Sequence, residues 1–166
     1  SGDGPALREL LQSEAPKVLN RVVNLETGSL AVEAGIKMML ARFYGVEAAG
    51  ETPENTGKTP VFLVMADNDG GSQANYHGTT LIAQTLRGMW PRFCEQAGAG
   101  GLYQVVPVRI NDIEDFRWKI EEYNTGSYKT AGFLHEIVMM NYGGKLLEKE
   151  YLCAAYDLCA RYDTPT

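Results

Sequence analysis

The sequence has no apolar run approaching the roughly 20 residues that a bilayer-spanning helix needs. It also lacks a basic stretch leading into an apolar one, the mark of a secretory leader. No membrane association is therefore expected. Runs of lysine and arginine are missing too. Fifteen basic residues face 21 acidic ones, the formal net charge is −6, and the densest charged cluster, KLLEKE, is of mixed sign. That balance argues against a nucleic-acid backbone as the main partner, because phosphate-backbone binders gather positive charge. Cysteine is scarce: Cys94, Cys153 and Cys159 are odd in number, and neither Cys-x-x-Cys nor His-Glu-x-x-His occurs. A disulfide framework and a zinc site of recognisable spacing are both excluded as expectations. Reduced thiols fit a cytoplasmic protein.

What is present is ordinary globular material. With 166 residues, 45% of them hydrophobic and 22% charged, the chain is long enough to bury a core of its own as one domain. It opens on SGDGP and closes on DTPT, which reads as a segment excised from a longer protein. Residues 1–45 read as a helical N-terminal part, 46–60 as an exposed loop and 61–166 as an α/β core.

The pattern of apolar residues supplies the elements. PALRELLQSEAPKVLNRVV, with Pro5 at its start and Pro16 as a kink, reads as a first helix. Ser29 can cap a second, running to about Tyr44 and stopped by Gly45. The stretch 46–60 is rich in Gly, Pro, Thr and Glu and reads as loop. Gly57-Lys58-Thr59 within it matches the tail of a phosphate-binding loop, but Thr52 stands where that signature needs glycine. VFLVMA is continuously apolar and predicts a strand buried on both faces. A helix from about Gly78 to Cys94 follows, bent or ended by Pro91. After the glycine-rich EQAGAGG comes a second strand, LYQVVPVRI, whose Pro107 favours an edge position or a strand end. DIEDFRWKIEEY is a short helix capped by Asn111 or Asp112, with Trp118 partly buried. NTGSYKTAG reads as a polar loop, and FLHEIVMMNYGG is strand or helix. KLLEKEYLCAAYDLCARY predicts an amphipathic final helix. The order predicts a small three-layer α/β domain with a mainly parallel sheet flanked by helices and preceded by a helical pair.

In open parallel sheets, ligands bind beyond the carboxyl ends of the strands. The stretch after VFLVMA occupies that place and offers Asp67, Asn68, Asp69, Gly70, Gly71, Ser72, Asn75 and His77. Asp67 and Asp69 could bind Mg²⁺, and Gly70, Gly71 and Gly78 would let backbone amides approach a phosphate. The same composition also suits an ordinary polar turn with His77 solvated. His135, inside FLHEIV, reads as a packing histidine. Tyr123, Ser127, Tyr128 and Lys129 form a second polar cluster.

FLVMADNDGG resembles the first motif of haloacid-dehalogenase-type phosphatases, a buried strand followed by Asp-x-Asp-Gly. That resemblance implies Asp67 as nucleophile, Asp69 as acid, and Mg²⁺. The later Gly-Asp with a second acidic residue after a strand is missing. From residue 60 onward the order also resembles the large-subunit half of caspase-type cysteine proteases. HGTTLIAQTLRGMW would be their first helix, and IVMMNYGG the strand carrying Ser-His-Gly in active members. Asn141, Tyr142 and Gly143 stand in those places, so this likeness implies a catalytically incomplete segment.

The leading expectation is a regulatory or binding module for a phosphate-bearing or polar small molecule, sited at the loop after the first strand. A Mg²⁺-dependent phosphohydrolase using Asp67 and Asp69 is the alternative. A third is a non-catalytic interaction domain, homodimeric through its N-terminal helices.

Overall fold

The structure, a computed structural model, describes residues 23–45, 54–66 and 77–166. The helix expected from Pro5, most of the 46–60 loop and the stretch from Asp67 to Asn75 lie outside the described residues.

The sheet has three parallel strands: β1 (Thr59–Ala66), β2 (Gln104–Arg109) and β3 (Tyr128–Leu134), in the spatial order β2-β1-β3. Continuous apolarity placed β1 correctly. Val61, Leu63 and Met65 turn to one face and Phe62 and Val64 to the other, and all five are fully buried. β2 is an edge strand, as Pro107 requires: it lies opposite Val64 but has no N–H to offer a further neighbour.

Helices cover both faces. On one lie α1 (Gly28–Phe43) and α2 (Leu81–Leu86), packing Ile36, Phe43 and Leu86 on Phe62 and Val64. A second helix of the connection from β1 to β2, α3 (Pro91–Ala99), precedes β2. On the other face α4 (Ile113–Glu122) and α5 (Lys149–Arg161) pack Phe116, Ile120, Tyr151 and Leu158 against Val61, Leu63 and Phe133. This is a small three-layer α/β domain, built as the alternating pattern predicts.

Several expected elements are redrawn. The single helix expected over 78–94 is two helices. Gly88 (φ 74°) and Trp90 (φ 62°) turn the chain left-handed, and Pro91 starts α3 at a first-turn position, where a missing N–H costs nothing. Most of the expected EQAGAGG turn therefore belongs to α3. Tyr128–Gly132, expected as polar loop, forms most of β3, because its polar groups are satisfied individually. Thr130 is buried and bonded to Asn124 and Thr164, and the Lys129 ammonium donates to the Tyr162 carbonyl at 2.6 Å. Beyond β3, the ambiguous stretch is a hairpin, β4 (Val138–Met139) paired with β5 (Lys145–Leu146), turning at Gly143 and Gly144, both at positive φ. It is not the sheet strand that the caspase-type likeness requires. The final helix starts at Lys149, later than expected, and Trp118 is exposed at the surface.

Local caps match the sequence more closely. Asp112 accepts from the Asp115 amide and caps α4. Gly45 (φ 58°) stops α1, whose cap is Thr27, two residues before the expected Ser29.

A candidate ligand site at the carboxyl edge of the sheet

With β1 central, the connection from β1 leads outward to β2, and the next returns across it to β3. Strand order therefore reverses between β1 and β3. Their carboxyl ends form the crevice where open α/β sheets place ligands.

Helix α1 is oriented to contribute to that crevice. Its carboxyl end is held at the amino edge of the sheet, where Asn55 Nδ2 donates to the Phe43 carbonyl at 3.2 Å. Its first turn lies at the opposite edge. There Gly78, at φ 107°, packs on Ser29 so closely that a β-carbon would fall 2.7 Å from the Ser29 Cα. The Thr79 amide donates to Ser29 Oγ at 3.3 Å. Thr80 Oγ1 donates to Glu33 Oε2 at 2.7 Å, and Lys37 pairs with the same carboxylate at 3.5 Å. Glu33 is thereby engaged by both Thr80 and Lys37.

The N-terminus of α1 is suited to an anion. Thr27 Oγ1 accepts from the Leu30 amide, while Gly28 and Ser29, as first-turn residues, have no intrahelical acceptor for their N–H groups. The first turn holds no acidic side chain, and a β-carbon on Gly28 would meet nothing within 4 Å. The helix dipole adds positive potential at this end.

Two histidines border the same edge. His77, at the close of the segment following β1, is buried at 6% exposure, contrary to the solvated position expected for it. Burial lowers its pKa to about 4, helped by the positive potential of His135 and Arg87, so the imidazole is neutral at pH 7. Its Nε2 has no hydrogen-bond partner. His135 directly follows β3 and is held by the Tyr156 hydroxyl at 3.0 Å from Nε2 and by the Phe133 ring, 4.7 Å between centroids. Burial lowers its pKa as well. Both histidines line one cavity of about 200 Å³, whose walls are Val32, Ile36 and Met39 of α1 and the end of β3.

Of the residues read from the sequence as a site, only His77 and Gly78 are described. Asp67, Asn68, Asp69, Gly70, Gly71, Ser72 and Asn75, and with them the Mg²⁺ pair and the phosphatase-like motif, lie outside the described residues. Among the described residues no group of three or more His, Cys, Asp or Glu side chains could hold a metal ion. No helix among them is long and apolar enough to cross a membrane. The second polar cluster does not join the site. Tyr128 begins β3 at the amino edge, Tyr123 packs edge-on against it at 5.5 Å, and Lys129 is spent on backbone carbonyls. Lys58 and Thr59 lead straight into β1, so the partial phosphate-loop match has no helix behind it.

Sequence reasoning missed two contributors, the Thr27-Gly28-Ser29 turn and His135. The first was legible as a cap before an amphipathic helix, but nothing local tells which sheet edge a helix faces. The second was masked because β3 itself was read as loop.

No protein-family model matches the chain, and no curated protein matches it in sequence.

Proposed function

We propose that this chain is a binding module for a phosphate-bearing small molecule, with the phosphate on the first turn of α1 and the rest of the ligand beside His77. The observation that carries this reading is the Gly78–Ser29 contact, which seats the N-terminus of a 16-residue helix against the segment that follows the central strand. First-turn amides without an intrahelical acceptor, no acidic side chain within that turn and a switch-point location favour an anion there. The neutral imidazole of His77 offers a hydrogen bond without competing for the negative charge. Binding without turnover would suit a regulatory role.

Thermal unfolding with inorganic phosphate, and then with a series of phosphate monoesters, tests the proposal. A concentration-dependent rise in melting temperature is expected. Ser29→Asp, which sets a like charge on the same turn, is expected to remove it. An unchanged melting temperature throughout, or an equal response in Ser29→Asp, contradicts the proposal. Mg²⁺-dependent turnover of a phosphomonoester that disappears in Asp67→Asn would establish the phosphohydrolase in its place.

One observation favours a second reading, self-association through the N-terminal part. Leu30 and Met38 on α1 are exposed, Met38 at 60%. Sedimentation at increasing concentration, with Met38→Glu as control, decides whether that face pairs two copies.

A further inference from the structure

We infer that the cavity between α1 and the carboxyl end of β3 is a binding subsite for an uncharged group the size of a single six-membered ring, hydrogen-bonded to His77. This goes beyond phosphate recognition and does not depend on it.

Size and lining come first. The cavity measures about 200 Å³. An engineered apolar cavity of about 150 Å³ is enough to admit benzene. The walls are apolar: Val32, Ile36 and Met39 on one side, Phe133 and Leu134 on the other. Apart from the two histidines, no side chain lining the space is ionisable, so a charged group has little there to replace its hydration. His135 also lines the space; its Nε2 is engaged by Tyr156, while its Nδ1, like His77 Nε2, is buried without a hydrogen-bond partner.

His77 supplies the specificity. It is 6% exposed, and its Nε2 is buried with no hydrogen-bond partner. More than nine in ten buried polar groups are satisfied, and one left unsatisfied destabilises the fold. A partner from the cavity side removes that cost. Because burial keeps the ring neutral and the rest of the lining is mainly apolar, an uncharged group matches it. A hydroxyl serves either tautomer, since it both donates and accepts.

Gly35 provides a way to close the cavity without disturbing the site. It lines the cavity, and a β-carbon there meets nothing within 4 Å. Replacing a mid-helix glycine also favours the helix.

The test uses phenol as the probe and toluene as its hydroxyl-free counterpart, titrated into the 166-residue protein with the methionine methyl groups observed by NMR. Saturable binding of phenol with a shift of the Met39 methyl is expected, about two- to tenfold tighter than toluene, as one net hydrogen bond implies. His77→Phe should erase the preference for phenol, and Gly35→Leu should abolish binding of both probes while the protein stays folded. Equal affinity for the two probes in the unaltered protein overturns the role of His77. No saturable binding, or binding that survives Gly35→Leu, overturns the subsite. Phenol binding in Ser29→Asp, where phosphate no longer binds, would separate this subsite from the phosphate reading.

Discussion

Gly78 and Ser29 touch backbone to backbone: a β-carbon on Gly78 would lie 2.7 Å from both the Cα and the Cβ of Ser29. The two residues are 49 positions apart in the chain, yet this contact fixes the start of α1 to the segment that follows the central strand. The φ of 107° at Gly78 adds a second demand for glycine. Gly78→Ala is therefore expected to cost at least about 2 kcal/mol, through backbone displacement and left-handed strain together. It should also weaken the response to phosphate. Urea denaturation measures the first effect, and a cost below about 0.5 kcal/mol would show that the contact relaxes freely.

His77 should make the fold sensitive to mild acid. Its pKa is about 4 in the folded protein against 6.5 ordinarily, so between those values the unfolded chain holds more protons than the folded one. Stability then falls as pH drops from about 6.5 to about 4, by roughly 3 kcal/mol in total if the full shift is expressed. His135, lowered in the same direction, adds to the loss. Denaturation midpoints from pH 7 to 4.5 should slope less in His77→Gln than in the unaltered protein. Parallel slopes would mean that His77 is hydrated enough to titrate normally.

How legible was this in the sequence? β1 was, because a strand covered on both faces needs only apolar residues, and VFLVMA supplies nothing else. The edge position of β2 was, because Pro107 forbids a ladder on its far side. β3 was not. Its Lys129, Thr130 and Gly132 look like loop residues until the partners are known: carbonyls around Tyr162 for the ammonium, Asn124 and Thr164 for the hydroxyl, and Met39 against the glycine. Each of those partners lies too far along the chain for a local pattern to sample, or binds through side chains that periodicity ignores. The site shows the same division. That a ligand site would be sought after β1 followed from topology alone, whereas the approach of α1 and the burial of His77 depend on tertiary packing.

The hydroxyls of Thr130 and Thr164 illustrate that dependence, and they can be tested as a pair. They bond to each other where both residues are buried, and Asn124 Nδ2 donates to Thr130 Oγ1 at 2.8 Å while also bonding the Ile120 carbonyl at 2.6 Å. Thr130→Val keeps the shape but leaves Asn124 and Thr164 short of a partner, an expected cost of about 1–3 kcal/mol. In the double variant Thr130→Val with Thr164→Val, one stranded hydroxyl is gone, so the total should be less than the sum. Additive costs would mean that the two hydroxyls act separately.

The approach of Met39 to Gly132 links the sheet to the cavity. A β-carbon on Gly132 would meet the Met39 sulfur, with Phe62 Cδ1 at 3.3 Å behind it. Unlike Gly78, Gly132 is not at positive φ, so the obstacle is contact alone. Methionine is unbranched and moves readily, and the free space beside it is the cavity that it lines. Gly132→Ala is thus expected to cost about 1–2 kcal/mol, less than Gly78→Ala, and to narrow the cavity as Met39 turns into it. In a Met39→Ala background the added methyl has room, and the same substitution should cost appreciably less. A double-mutant cycle by urea denaturation measures that coupling. Costs that add to within about 0.5 kcal/mol would place the strain on Phe62 and the backbone, leaving Met39 uninvolved.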